Sequence, residues 1–123
     1  MKRMTLMAVL AALWAGPTQA CDQALQAKAD EIFQARCSSC HNDRARISGL
    51  SLAEGGAALI GQASTQVSGM ERIAPGDPEN SYVFRKIMGT HADVGGSGSR
   101  MPIGPALGDT QLADIEQWIR SCQ

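Results

Sequence analysis

From residue 22 onward the apolar positions fall into three stripes separated by polar and glycine-rich stretches. Leu25, Ala29, Ile32 and Phe33, continued by the aliphatic stem of Arg36, sit at i, i+4, i+7, i+8 and beyond, the spacing of one helix face. An amphipathic helix over Asp22–Arg36 is predicted. The second stripe is Tyr82, Val83, the stem of Lys86 and Ile87. It follows Asp77-Pro78, an aspartate suited to cap a helix and a proline suited to its first position, and ends at Gly89, a helix stop. A helix over Pro78–Met88 follows. Leu112, Ile115, Trp118 and Ile119 mark a third helix, from Asp109 or Thr110 to about Arg120. Ala53–Gln62 carries a small apolar patch, Ala57–Ile60, and predicts a short helix weakened by Gly55-Gly56. Asn42–Arg46 is polar, Ile73–Gly76 reads as a turn, and Thr90–Arg100 reads as a loop rich in glycine and serine. No segment alternates as a strand would and no repeat is visible, so the fold class is all-α, one small domain.

The first twenty residues follow different rules. Lys2 and Arg3 precede a short apolar run, Met4–Trp14, which Gly16-Pro17 breaks; Thr18-Gln19-Ala20 then offers small residues for cleavage. Residues 1–20 are expected to be a secretory signal peptide, too short and wrongly flanked for a membrane span; a retained N-terminal anchor is the competing reading. Residues 21–123 form the domain, and no later run could cross a bilayer. An exported, periplasmic location is expected.

Losing Lys2 and Arg3 takes the formal net charge from −1 to −3. That argues against nucleic acid or anionic lipid as a partner and favours a basic docking surface on whatever protein it meets. Only Phe33, Tyr82, Phe84 and Trp118 supply aromatic bulk to the domain. A core that thin gains from a bound apolar group.

Cys37-Ser38-Ser39-Cys40-His41 names the group. Two thiols at i and i+3 followed at once by an imidazole form the C-x-x-C-H signature of c-type haem attachment: Cys37 and Cys40 add to the vinyl groups and His41 ligates the iron. A redox dithiol would sit in a βαβ setting, and a zinc site needs a second Cys/His cluster; neither context is present. One haem c is therefore the expected cofactor, and export suits its attachment.

An electron carrier holds its iron from both sides. Met101 is the best second ligand, in a loop between the second and third helices and stiffened by Pro102. A thioether there favours ferrous iron and raises the potential relative to two imidazoles. Met88, within a helix, is expected to pack, and Met70 is a distant third. His91 stands at the head of a polar loop, where a histidine is more often solvated than ligating. Arg46, Arg72 and Arg100 are candidates for hydrogen bonds to a haem propionate. Trp118, Tyr82 and Phe84 read as core.

The order helix, C-x-x-C-H, loops, helix, Met-Pro, helix resembles the single-haem class I cytochrome c fold. More narrowly, Phe33 with the Cys37–His41 motif, Gly49–Leu52, Pro75–Ser81, Met101-Pro102, and Leu112 with Ile115 and Trp118-Ile119 resemble the planctomycete-type cytochrome c domain. That resemblance implies a covalent haem and transfer of single electrons. It also implies that the first and last helices cross, which brings Cys21 and Cys122 within reach of each other. An exported chain with two spare cysteines can join them in a disulfide. The alternatives are a lipid anchor on Cys21, against which the missing leucine upstream argues, and free thiols.

The resulting expectation is a monomeric, exported mono-haem carrier passing electrons between redox proteins, not an enzyme, alone or as the electron-transfer subunit of one. The reading from another class is a haem protein with an open distal site that senses small ligands or turns over peroxide. No constellation for hydrolytic chemistry is present.

Overall fold

The computed structural model describes residues 20–123, so all of the expected signal peptide except Ala20 lies outside the described residues. Three α-helices carry the fold: α1 (Gln23–Arg36), α2 (Tyr82–Met88) and α3 (Asp109–Ser121). Among the described residues there is no strand, only isolated bridges such as Ile60 with Ile73, and the class is all-α.

Helix α1 starts where Asp22 accepts a hydrogen bond from the Leu25 N–H at 3.0 Å, satisfying an otherwise orphaned donor. At the start of α3 the Gln111 side chain accepts from the Gly108 N–H at 3.1 Å. The two stripes meet: Ala29, Ile32 and Phe33 of α1 and Ile115, Trp118 and Ile119 of α3 are all buried. Phe33 and Trp118 pack edge to face with centroids 5.8 Å apart. Each isoleucine or phenylalanine side chain removed from water here contributes about 1.5–3 kcal/mol. A disulfide joins Cys21 to Cys122, 101 positions apart, at the same end of the pair.

The middle of the chain departs from the periodic reading. The segment predicted as one helix over Pro78–Met88 breaks at Ser81: Pro78–Asn80 is a 3-10 turn, and α2 begins at Tyr82. Ser81 is fully buried in extended backbone; its hydroxyl accepts from the Ala74 N–H and donates to the Asp77 carbonyl, both at 2.8 Å. Those bonds outweigh helical continuity there. The short helix expected over Ala53–Gln62 is a single 3-10 turn, Gly56–Leu59. Both glycines are required. Gly55 has φ +75°, and a Cβ on Gly56 would stand 2.6 Å from the Phe33 ring and 2.8 Å from Trp118.

Two further expectations change. His91 is buried rather than solvated, opening a 3-10 turn (His91–Val94) in the segment read as loop. Met88 does not pack; 45% exposed, it ends α2 past the edge of the core. Tyr82, Phe84 and Trp118 are core as predicted. No helix among the described residues is long and apolar enough to cross a membrane.

Candidate functional site

The C-terminus of α1 runs straight into a tight turn. Cys37 N donates to the Phe33 carbonyl at 2.9 Å, closing the helix, and His41 N donates to the Cys37 carbonyl at 3.0 Å. Asn42 secures the exit. Its amide donates to the Ser38 carbonyl at 2.8 Å, while its Oδ1 accepts from the Arg44 and Ala45 N–H groups at 2.9 Å. The C-x-x-C-H segment is thus fixed by α1 on one side and an Asx turn on the other.

His41 is held by its ring. Nδ1 lies 3.0 Å from the Ile47 carbonyl, which can only accept, so Nδ1 carries the hydrogen and Nε2 keeps its lone pair. That is the arrangement a histidine needs to ligate a metal through Nε2. Cys37 is half-buried, and burial pushes its thiol up to about 11, with Arg36 opposing and Cys40 adding to the shift. A redox dithiol needs the opposite, a thiol drawn down toward neutrality. Among the described residues no group of three or more His, Cys, Asp or Glu side chains could hold a metal by itself.

Cys37, His41 and Met101 line one cleft. It holds ≈ 1010 Å³ of free space, counting solvent at its open mouth. The floor is apolar: Phe33, Leu50, Leu52 and Leu59 from the first half of the chain, Val83 and Ile87 from α2. Arg72 and Lys86 are the charged residues that line it, and among the described residues no carboxylate does. Hydroxyl and amide groups complete the wall at Ser64–Gln66 and Ser97–Ser99. Tyr82 donates its hydroxyl to Gln66 Oε1, and burial raises its pKa; burial also lowers that of Lys86.

Of the four residues read from sequence as attachment and ligand residues, Cys37, His41 and Met101 share the cleft and Cys40 is exposed in the same turn. Met70, Met88 and His91 do not line it. Among the three arginines Arg72 does, its Nη2 donating to the Gly49 carbonyl at 3.2 Å. Arg46 is exposed and paired with Asp43 at 3.0 Å, and Arg100 donates to the Gly104 carbonyl at 2.8 Å. Lys86 was legible in part, since it follows Val83 by three and Tyr82 by four on the same face. The loop residues 64–66 and 97–99 gave no signal, because only the folded chain brings them to the cleft.

The family model described as Planctomycete cytochrome C matches residues 37–102, from the first thiol of the motif to the proline after Met101. Helices α1 and α3 lie outside the matched stretch. Nothing among the curated proteins or the solved structures matches the chain.

Proposed function

The chain belongs to the planctomycete cytochrome c family, and from that premise we propose that it is an exported mono-haem electron carrier with His41 and Met101 as axial ligands. The residues fit the group. An apolar floor suits the macrocycle, and Arg72 and Lys86, with no carboxylate on the walls, suit its two negative propionates. When bound, haem c supplies a one-electron ferric/ferrous couple.

The chain's part is attachment, orientation and exclusion. Cys37 and Cys40 provide the thioethers. Ile47, by accepting from Nδ1, keeps His41 in the tautomer and orientation that present Nε2. Met101 contributes a soft ligand, with its N–H held by the Lys86 carbonyl at 3.1 Å. Leu50, Leu52, Leu59 and Ile87 keep water from the buried face of the cleft. A site ligated in both oxidation states reorganises little, which suits transfer rather than turnover.

One observation carries the reading: Met101, alone among the candidate second ligands, lines the cleft that His41 lines. The peroxidase-like or sensing alternative loses its candidate distal base, because His91 is buried outside the cleft with Nε2 donating to the Gly98 carbonyl. The net charge after export favours transient docking to a redox protein with a basic face, with the carrier itself a monomer.

The test is an absorption spectrum of protein exported with its haem-attachment machinery. Sharp reduced bands and the weak red charge-transfer band of methionine-bound ferric iron are expected. A high-spin spectrum that shifts with carbon monoxide would replace this reading with the open-site one.

A further inference from the structure

Residues 96–101 are fastened to the chain before them at four points, and His91 and Lys86 supply all of them. The His91 carbonyl accepts from Gly96 N at 2.8 Å, and the His91 ring donates from Nε2 to the Gly98 carbonyl at 2.8 Å. Lys86 Nζ donates to the Ser97 carbonyl at 2.5 Å, and the Lys86 carbonyl accepts from Met101 N at 3.1 Å. Each residue therefore uses one side-chain and one backbone bond.

This fastening is tight. A Cβ on Gly96 would stand 2.6 Å from the Tyr82 hydroxyl and 2.8 Å from the His91 carbonyl, so the loop lies flush on its anchors. The segment is otherwise suited to motion, with Gly95, Gly96 and Gly98 and three exposed serine and glycine positions at Ser97–Ser99. Ser97, Gly98, Ser99 and Met101 form one wall of the cleft. A glycine-rich wall that carries a ligand needs anchors outside itself, and a buried imidazole on a carbonyl is an unusual one for a surface loop.

We propose that His91 and Lys86 are a positioning pair for Met101: they hold the 96–101 segment against α2 so that the thioether faces the cleft across from His41. The proposal rests on the His41/Met101 reading. Neither side chain touches iron in it; His91 acts through the loop, and Lys86 does so besides its place beside the propionates. Losing the part-buried His91 bond to Gly98 raises the population with the loop detached by up to about tenfold, and losing the exposed Lys86 bond to Ser97 raises it less.

The experiment compares His91→Ala, His91→Gln and Lys86→Met in haem-loaded protein. It reads the rate of carbon monoxide binding to the reduced form, the temperature at which the methionine charge-transfer band is lost, and amide hydrogen exchange at Gly96 and Met101. His91→Ala should bind carbon monoxide up to about tenfold faster and Lys86→Met about twofold to threefold faster, and both should lose the band at lower temperature and exchange faster at both amides. His91→Gln, which keeps a donor for the Gly98 carbonyl, should recover much of the wild-type behaviour. A loss of global stability with unchanged carbon monoxide binding would make the residues merely structural and overturn the proposal. If His91→Ala fails to fold, Lys86→Met decides through amide exchange at Gly96, which its place beside the propionates does not move: faster exchange supports the proposal and unchanged exchange overturns it. A wild type without the charge-transfer band sinks the ligand reading itself; a wild type with it and unresponsive variants sinks only the positioning pair.

Discussion

Trp118 donates its indole N–H to Oε1 of Gln26 at 2.7 Å, across 92 positions of sequence. The bond does not end there. Gln26 Nε2 donates to Asp30 at 3.0 Å, and the same Asp30 oxygen accepts from Gly56 N at 2.7 Å. One polar relay thus joins α3, α1 and the Gly56 turn behind the cleft floor. Replacing Gln26 with Leu leaves a buried indole N–H without a partner and should cost about 1–3 kcal/mol in urea unfolding. Adding Trp118→Phe should cost less than the sum of the two single changes, because the unpaired donor is then gone. Strict additivity would mean that the bond contributes nothing of its own.

The Cys21–Cys122 bond closes nearly the whole domain into one loop. In the chain-entropy account a loop of about a hundred residues contributes up to about 4.7 kcal/mol, mostly by restricting the unfolded chain. A Cys21→Ser, Cys122→Ser double variant should therefore unfold at markedly lower urea, while the haem spectrum of the folded protein stays the same. Intact mass should rise by two hydrogens on reduction of the wild type and not at all in the variant. A wild type whose mass ignores reductant would return the choice to free thiols or an acylated Cys21.

Asp77 gives a pH signature. Hydrogen bonding from Asn80 chiefly, with Arg120 nearby, holds its carboxyl below the ordinary aspartate range. A depressed folded pKa means that the unfolded state binds the proton first. The contribution is therefore complete above the unfolded value, near 3.9, and is lost as pH falls through the lower folded value. Asp77→Asn keeps the side chain's shape without the charge. Its stability should fall less steeply than the wild type's between pH 5 and strong acid, both figures being approximate. Parallel curves would assign the acid sensitivity to other carboxylates.

How far the sequence carried depended on how local the deciding forces were. Helices α1 and α3 could be read because the Leu25–Phe33 and Leu112–Ile119 stripes bury against each other, and the spacing of a stripe is written in the chain. The attachment motif was legible for the same reason, being five consecutive residues. Ser81 was not: its hydroxyl answers Ala74, seven positions back, and no helical pattern encodes that. His91 was misread as solvated because the carbonyl that holds it belongs to Gly98, in a loop whose course only the fold sets. Met88 shares a face with Phe84, yet α2 ends on it, and a periodic argument cannot say where the core stops. Gly55-Gly56 weakened a helix prediction for a sound reason, but the pair's actual purpose, close approach to Phe33 and Trp118, is a tertiary fact.

Met101 is where the functional reading is most exposed to test. It lines the cleft with His41, and its N–H is tied to the Lys86 carbonyl, so the side chain has a fixed origin at the wall. A thioether stabilises ferrous iron, and removing it leaves the covalent links at Cys37 and Cys40 untouched. Met101→Ala should therefore retain haem on a denaturing gel, show a lower reduction potential, lose the red charge-transfer band and admit carbon monoxide to the reduced form. Met88→Ala, at an exposed position outside the cleft, should change none of these. Should Met101→Ala keep both the band and the potential, Met101 leaves the site, and the second ligand must come from a residue that moves to reach the cleft.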